Sequence, residues 1–346
     1  MAGRLIWPVQ AGMIAAAAAG GALFDAMGFP GGWLSGAMIA LALMAAAGRA
    51  APLADPLRQA AMILSGCAIG SAVTPQMLHG FSRYPASLAL MMCAVVAITL
   101  AGVAMLRRMP GFSRETAFFS AIPGALSYVF AVAMTTQADM ARIAVVQVLR
   151  VFFLMALVPL AVVEAGVPLA PAGVLEHDPS GMVTLALALA YVLGKGLERL
   201  GVAGGMLFGA MIASGALHAT GYAPGRLPAM VAIAGQVLVG AWTGARFAGF
   251  DWGLLGRLAL VSLGSFAVAM GIAAGFAAIA TALLGVPFPA TLLAFAPGGL
   301  EAMTILAFAL GIDPLYVGAH HLARFVLISV ALPVVFRLWL GGSAAK

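Results

Sequence analysis

Apolar stretches of about 17–25 residues, the length of a helix that crosses a bilayer, recur from one end of this chain to the other. This feature decides the solvent in which the chain folds. Charged residues are 8% of the sequence, against roughly one quarter in a soluble domain, so a water-soluble enzyme is excluded. An outer-membrane barrel would show weaker, alternating segments. Nucleic-acid recognition needs a basic patch, whereas the 17 Lys and Arg residues behind the net charge of +6 stand scattered. Cys67 and Cys93 both lie in apolar runs and support neither a disulfide framework nor a zinc site. No metal or cofactor is expected. Arg4 and the Ala-rich run after it imitate a signal peptide. The end of that stretch recurs later in the chain, so it is read as part of the fold.

The chain is internally duplicated. GGWLSGAMIA at 31–40 and GGMLFGAMIA at 204–213 agree at eight of ten positions, at an offset of 173. The same offset pairs Gly28 with Gly201, Gly48 with Gly221 and Asp25 with Glu198. An offset of 174 pairs Pro123-Gly124 with Pro297-Gly298, Asp139 with Asp313, Arg150 with Arg324 and Pro159 with Pro333. Bias toward Ala, Gly and Leu would scatter matches. It would not align rare charges and prolines in one register. Two membrane repeats follow, 1–170 and 171–346.

Each repeat holds six apolar segments: 9–27, 31–48, 57–73, 86–106, 115–136 and 143–163, then 180–200, 202–218, 228–247, 258–284, 289–310 and 315–340. If all six cross, the halves are parallel and the basic residues divide nine to six between the two sides. If the fifth segment of each half enters and leaves on one side, each half crosses five times and the halves are inverted. The division then becomes thirteen to two, with Arg83 and Arg226 outside. The positive-inside rule favours this second arrangement. It puts both termini in the cytoplasm and the acidic 164–180 loop outside, in a multi-pass protein of a bacterial inner membrane. The expected class is therefore an all-α polytopic protein of inverted 5+5 transmembrane helices, with parallel 6+6 as the alternative.

The fifth segment is singled out by a break, Pro123-Gly124 in one half and Pro297-Gly298-Gly299 in the other. Proline removes a backbone donor and glycine admits positive φ. A re-entrant hairpin of two half-helices fits, and exposed backbone at membrane depth is tolerated only inside protein or beside water. Paired discontinuous segments in inverted repeats are the pattern of secondary transporters. A proline-kinked ordinary helix is the plainer alternative.

Arg150 and Arg324 lie inside the sixth segments, where a charge is costly enough to need a partner or a pathway. They have two readings: ties to carbonyls freed at the breaks, or a clamp for an anionic solute. Gln147 and His321 stand one turn before them and extend a polar wall. His320 points elsewhere, so the adjacent histidines are poorly placed to share a metal. With the Pro and Gly residues of the breaks, these positions form the candidate substrate site. Glu301 follows the second break directly, where Ser127 stands in the first half. A carboxylate near a helix N-terminus is favoured, and Glu301, with Asp139 and Asp313, forms the candidate ion-coupling set. Gly31, Gly32 and Gly36, like Gly204, Gly205 and Gly209, read as close-packing helix faces.

These motifs (PGGWLSGAM and AGGMLFGAM, then IPGALS and APGGLEAM, each break followed by an Asp and an Arg) resemble the bacterial AbrB-type membrane proteins with a duplicated domain. The likeness covers nearly the whole chain, although the acidic position after the break is kept in one copy only. Proteins of this family carry two labels, a membrane-bound regulator of gene expression and an ammonia monooxygenase, and share a name with a soluble transition-state regulator. Five dispersed histidines supply no copper or iron site, and no soluble basic module is present. The expectation is a secondary transporter of a small, anionic solute coupled to H+ or Na+, not an enzyme. Its partners would be the lipid bilayer, the solute and a second copy in a homodimer, with no nucleic acid. The alternatives are a membrane regulator acting through a partner and a small-solute channel.

Overall fold

The computed structural model describes residues 2–72, 84–124, 126–164, 180–223 and 227–339. The acidic 164–180 loop, Arg83, Arg226 and the C-terminal lysine, all used in the topology expectation, fall outside these residues wholly or nearly so.

With no water at depth, each backbone N–H and C=O must find its partner within its own segment, and the helix is the local solution. The described residues form fourteen helices and no strand: α1 (Ala2–Ala26), α2 (Gly32–Ala46), α3 (Asp55–Ser71), α4 (Tyr84–Leu106), α5 (Arg114–Ala121), α6 (Leu126–Ala133), α7 (Met140–Glu164), α8 (Ser180–Arg199), α9 (Gly205–Ala219), α10 (Ala229–Ala245), α11 (Trp252–Leu284), α12 (Phe288–Phe295), α13 (Leu300–Ala309) and α14 (Pro314–Trp339). Six of these, α1, α4, α7, α8, α11 and α14, are long and apolar enough to cross a membrane. Their outward side chains are apolar too, with Val192, Leu260 and Leu283 all strongly exposed, as a hydrocarbon solvent allows.

Of the other expected crossings, α2, α9 and α10 are shorter than the sequence suggested and α3 has the expected length; the four run to 15 to 17 residues. At 1.5 Å per residue they span about 23–26 Å, less than a hydrocarbon core of about 30 Å. Glycine sets the ends of two of them. Gly31 and Gly204 take left-handed backbone before α2 and α9, and Gly48 and Gly221 do so after them. Each pair is separated by 173 residues.

By packing, the chain divides into two compact units. The first comprises residues 1–81, 155–249 and 304–315, and the second 82–154, 250–303 and 316–346. Neither coincides with residues 1–170 or 171–346, and each takes helices from both stretches.

In the first unit α1 packs on α2, α9 on α8 and α3, and α10 on α2 and α3. The contacts are made through glycine. A Cβ at Gly36 would overlap the backbone of Gly20, one at Gly209 that of Gly194, and one at Gly66 would lie 2.5 Å from Leu207 O. The small-residue faces read from the sequence thus serve backbone-to-backbone approach, which is how helices associate where lipid removes the hydrophobic drive. Gln10, buried in α1, donates from Nε2 to Pro52 O at 3.1 Å and accepts from Ala54 N at 3.0 Å, which ties down the loop before α3. His218 sits in the last turn of α9 with Nδ1 2.7 Å from Ser214 O.

In the second unit α11 packs against α4 and α12, and α4 against α5. This unit contains both breaks.

Candidate functional site

The two breaks form for the same local reason. A residue before proline is driven out of the helical region. Ile122, before Pro123, has ψ 124°, and Ala296, before Pro297, has ψ 141°. α5 and α12 therefore stop after eight residues each. Gly124 then turns the chain with φ +86°. Beyond the second break the N–H of Gly298 donates to Ala296 O at 2.8 Å, a tight turn.

The first broken segment doubles back. Its start and its finish are hydrogen-bonded to each other. Gln137 N donates to Glu115 Oε2 at 3.0 Å, and Asp139 N donates to Thr116 Oγ1 at 2.9 Å. Arg142 Nη1 reaches Pro110 O at 3.3 Å, with the guanidinium over the Phe112 ring. Residues 110–116 and 137–142 therefore lie at one level, and α5 and α6 are the two arms of a hairpin.

A helix that stops at membrane depth leaves its last carbonyls without donors. Arginine supplies them here. Arg150 Nη1 donates to Ser120 O at 3.3 Å, and Nη2 donates to Ile122 O at 3.1 Å and to the Gln147 side-chain oxygen. Gln147 Nε2 donates to Phe119 O at 2.9 Å and to Ile122 O at 3.2 Å. In the second cluster Arg324 Nη1 donates to Ala296 O at 2.7 Å, while Nη2 reaches Gly298 O and His321 Nδ1. The other ring nitrogen of His321 meets Leu293 O at 3.0 Å. A ring that accepts from arginine at Nδ1 and faces a carbonyl at Nε2 carries its proton on Nε2.

Three of these bonds recur at an offset of 174. Gln147 to Phe119 O matches His321 to Leu293 O, Arg150 to Ile122 O matches Arg324 to Ala296 O, and each arginine also bonds the polar residue one turn before it. The tie to freed carbonyls, one of the two readings of the arginines, is thus the bonding observed. Both guanidiniums are buried, at 4% and 2% exposure. Among the described residues neither forms an ion pair. Arg150 Nε and Ser120 Oγ are buried without a hydrogen-bond partner among the described residues.

The breaks also approach each other. A Cβ on Gly124 would lie 3.4 Å from Arg324 Nε and 3.5 Å from Gly298 O. Pro123, Gly124, Pro297, Gly298, Arg150, Arg324, Gln147 and His321 are thus gathered in the second unit. Gly299 and Glu301 adjoin them, Glu301 half-buried in the first turn of α13 and without an ion pair among the described residues. The side chain of its counterpart, Ser127, lies outside the described residues.

Asp139 and Asp313 are not brought to the breaks. Asp139 accepts from Arg142 N at 3.0 Å and pairs with its guanidinium, and Asp313 accepts from Leu315 N at 2.9 Å. They cap α7 and α14, about 16 Å along the helix from the arginines. His320 faces away from His321. Its Nε2 lies 2.6 Å from Ser87 Oγ, its Nδ1 2.8 Å from Tyr316 O, and Tyr316 stacks on its ring at 4.1 Å. Ser87 carried no signal in the sequence, because its partner lies 233 residues away.

Together these features define a polytopic helical membrane protein with paired, arginine-capped helix breaks. A profile of the family described as "Transition state regulatory protein AbrB" matches residues 33–340. The chain belongs to that family. It is similar to "Uncharacterized protein YhjN" of Bacillus subtilis (strain 168), at 24% identity over 355 residues, covering 94% of this chain and 91% of the relative.

Proposed function

We propose that the protein is a secondary transporter of a small anionic solute, built as inverted 5+5 repeats in the inner membrane with both termini cytoplasmic. The observation that carries the reading is the pair of broken segments held by equivalent arginine bonds. A proline-kinked helix frees a single carbonyl four residues upstream, whereas a discontinuous segment beside a transport pathway must satisfy a set of freed carbonyls. The hairpin formed by α5 and α6 supports an odd number of crossings per half, which makes the halves inverted. The recurrence of three bonds at offset 174 supports a duplication.

In this reading the arginines hold the breaks in shape and set a positive potential around them, which favours an anionic group on the solute. Glu301 is the coupling group. It stands in one copy only, at a helix start, and exchanges a proton or binds Na+ during the cycle. The name of the family favours a second reading, a membrane regulator that acts through a partner.

One experiment separates the two. Protein reconstituted in liposomes is supplied with small carboxylates and amines, with and without a proton or sodium gradient. Gradient-driven uptake of a carboxylate, lost in Glu301→Gln while the variant keeps its melting temperature, supports transport. Absence of uptake across the panel, or full uptake by Glu301→Gln, rejects the coupled transporter.

A further inference from the structure

In the second unit α4, α5 and α14 enclose an open-sided cleft of about 390 Å³. α4 contributes Met92, Val95 and Val103, α14 contributes Ile328 and Leu332, and Ile122 of the first break, about 12 Å along α5 from its start, lines it too. The polar lining is negligible. Thr99, the polar residue among the lining side chains, turns its hydroxyl back to Val95 O at 2.8 Å.

Size and chemistry select the occupant. At about 30 Å³ per molecule the cleft would hold roughly a dozen waters, each needing two to four polar partners, and the lining offers none. A single hydrocarbon chain, apolar along its whole length, needs no such partner and matches this lining. The rim residues Val96 and Leu100 are exposed at 55% and 57%, which makes the cleft continuous with the lipid-facing surface.

Charge selects the headgroup. Arg107 follows Val103 by one turn on the same face of α4, and its N–H still donates to Val103 O at 3.0 Å. Arg107 and Arg108 are exposed and form no ion pair among the described residues. From Val95 to Arg107 is about 18 Å along the helix, close to the depth of one leaflet, about 15 Å.

We propose that this cleft binds one acyl chain of an anionic phospholipid, with the phosphate held at Arg107 and Arg108 and the chain end against Ile122. The proposal does not depend on transport.

The test titrates the purified full chain with phosphatidylglycerol and with phosphatidylcholine, reading bound lipid by native mass spectrometry. Phosphatidylglycerol should bind more tightly. Arg107→Gln with Arg108→Gln should reduce that preference by roughly fivefold per arginine. Val95→Trp, which fills the cleft, should abolish binding, whereas Leu260→Trp on the lipid-exposed face of α11 should not. In the unsubstituted protein, phosphatidylglycerol with a diazirine at its chain end should label residues 118–122. Equal affinity for the two lipids overturns the proposal. So does full phosphatidylglycerol binding by a folded Val95→Trp variant, or labelling that avoids 118–122.

Discussion

Arg324→Met keeps the apolar stem of the side chain and deletes all five N–H donors. Ala296 O, Gly298 O and His321 Nδ1 then lose the arginine. In membrane proteins an interhelical hydrogen bond contributes about 0.6 kcal/mol on average and about 1.7 at most. Three acceptors at that scale give a loss of about 2–5 kcal/mol. Relief of a buried charge works in the opposite direction, so the lower half of that range is expected. Arg150→Met should fall in the same range, because Arg150 likewise serves Ser120 O, Ile122 O and the Gln147 side chain. Arg142→Met, which removes a partly exposed pair with Asp139, should cost less than about 1 kcal/mol. Unfolding in mixed detergent micelles gives the three values, and hydrogen exchange locates the effect. In Arg324→Met the amides of Leu300–Met303 should exchange faster, while those of α9 stay protected. A loss below about 0.5 kcal/mol, with exchange at the break unchanged, would refute the capping argument.

Two further outcomes are expected. Gly124→Ala forces a side chain onto φ +86° and should cost about 1–2 kcal/mol. Gly275→Ala, in the open interior of α11 with nothing within 4 Å of the new Cβ, should gain up to about 1 kcal/mol; the order of the two melting temperatures checks both. Ser180→Cys, in a Cys93→Ala background because Cys93 is exposed, should react with an impermeant thiol reagent in intact spheroplasts. Reaction only after lysis restores the parallel 6+6 arrangement.

How much was legible follows from the range of each interaction. The offset of 174 aligns Arg150 with Arg324 and Gln147 with His321 in the sequence alone, because duplication preserves register. The breaks were legible too, since proline and glycine act on their own backbone. The targets of the arginines were not. Each carbonyl lies some 28 residues upstream and comes within reach only when the broken segment folds back. Asp139 and Asp313 were drawn into the site by their shared offset, yet a carboxylate before a helix start has a sufficient local task in capping it. α2 and α9 are shorter than their apolar segments because hydropathy does not register where a left-handed glycine bounds a helix. Gln10 and Ser87 were silent because their partners are fixed by tertiary packing alone.

The arginine caps also settle what the backbone at the breaks is able to coordinate. A carbonyl-lined filter conducts cations because its oxygens replace the ion's lost water. Here Ile122 O, Ala296 O and Gly298 O already face guanidinium donors. Any metal cation arriving at these oxygens would have to displace a fixed positive charge in order to be solvated. These three oxygens are therefore poor ligands for a dehydrated cation, and a cation held at them has to bring its water or use a side-chain carboxylate.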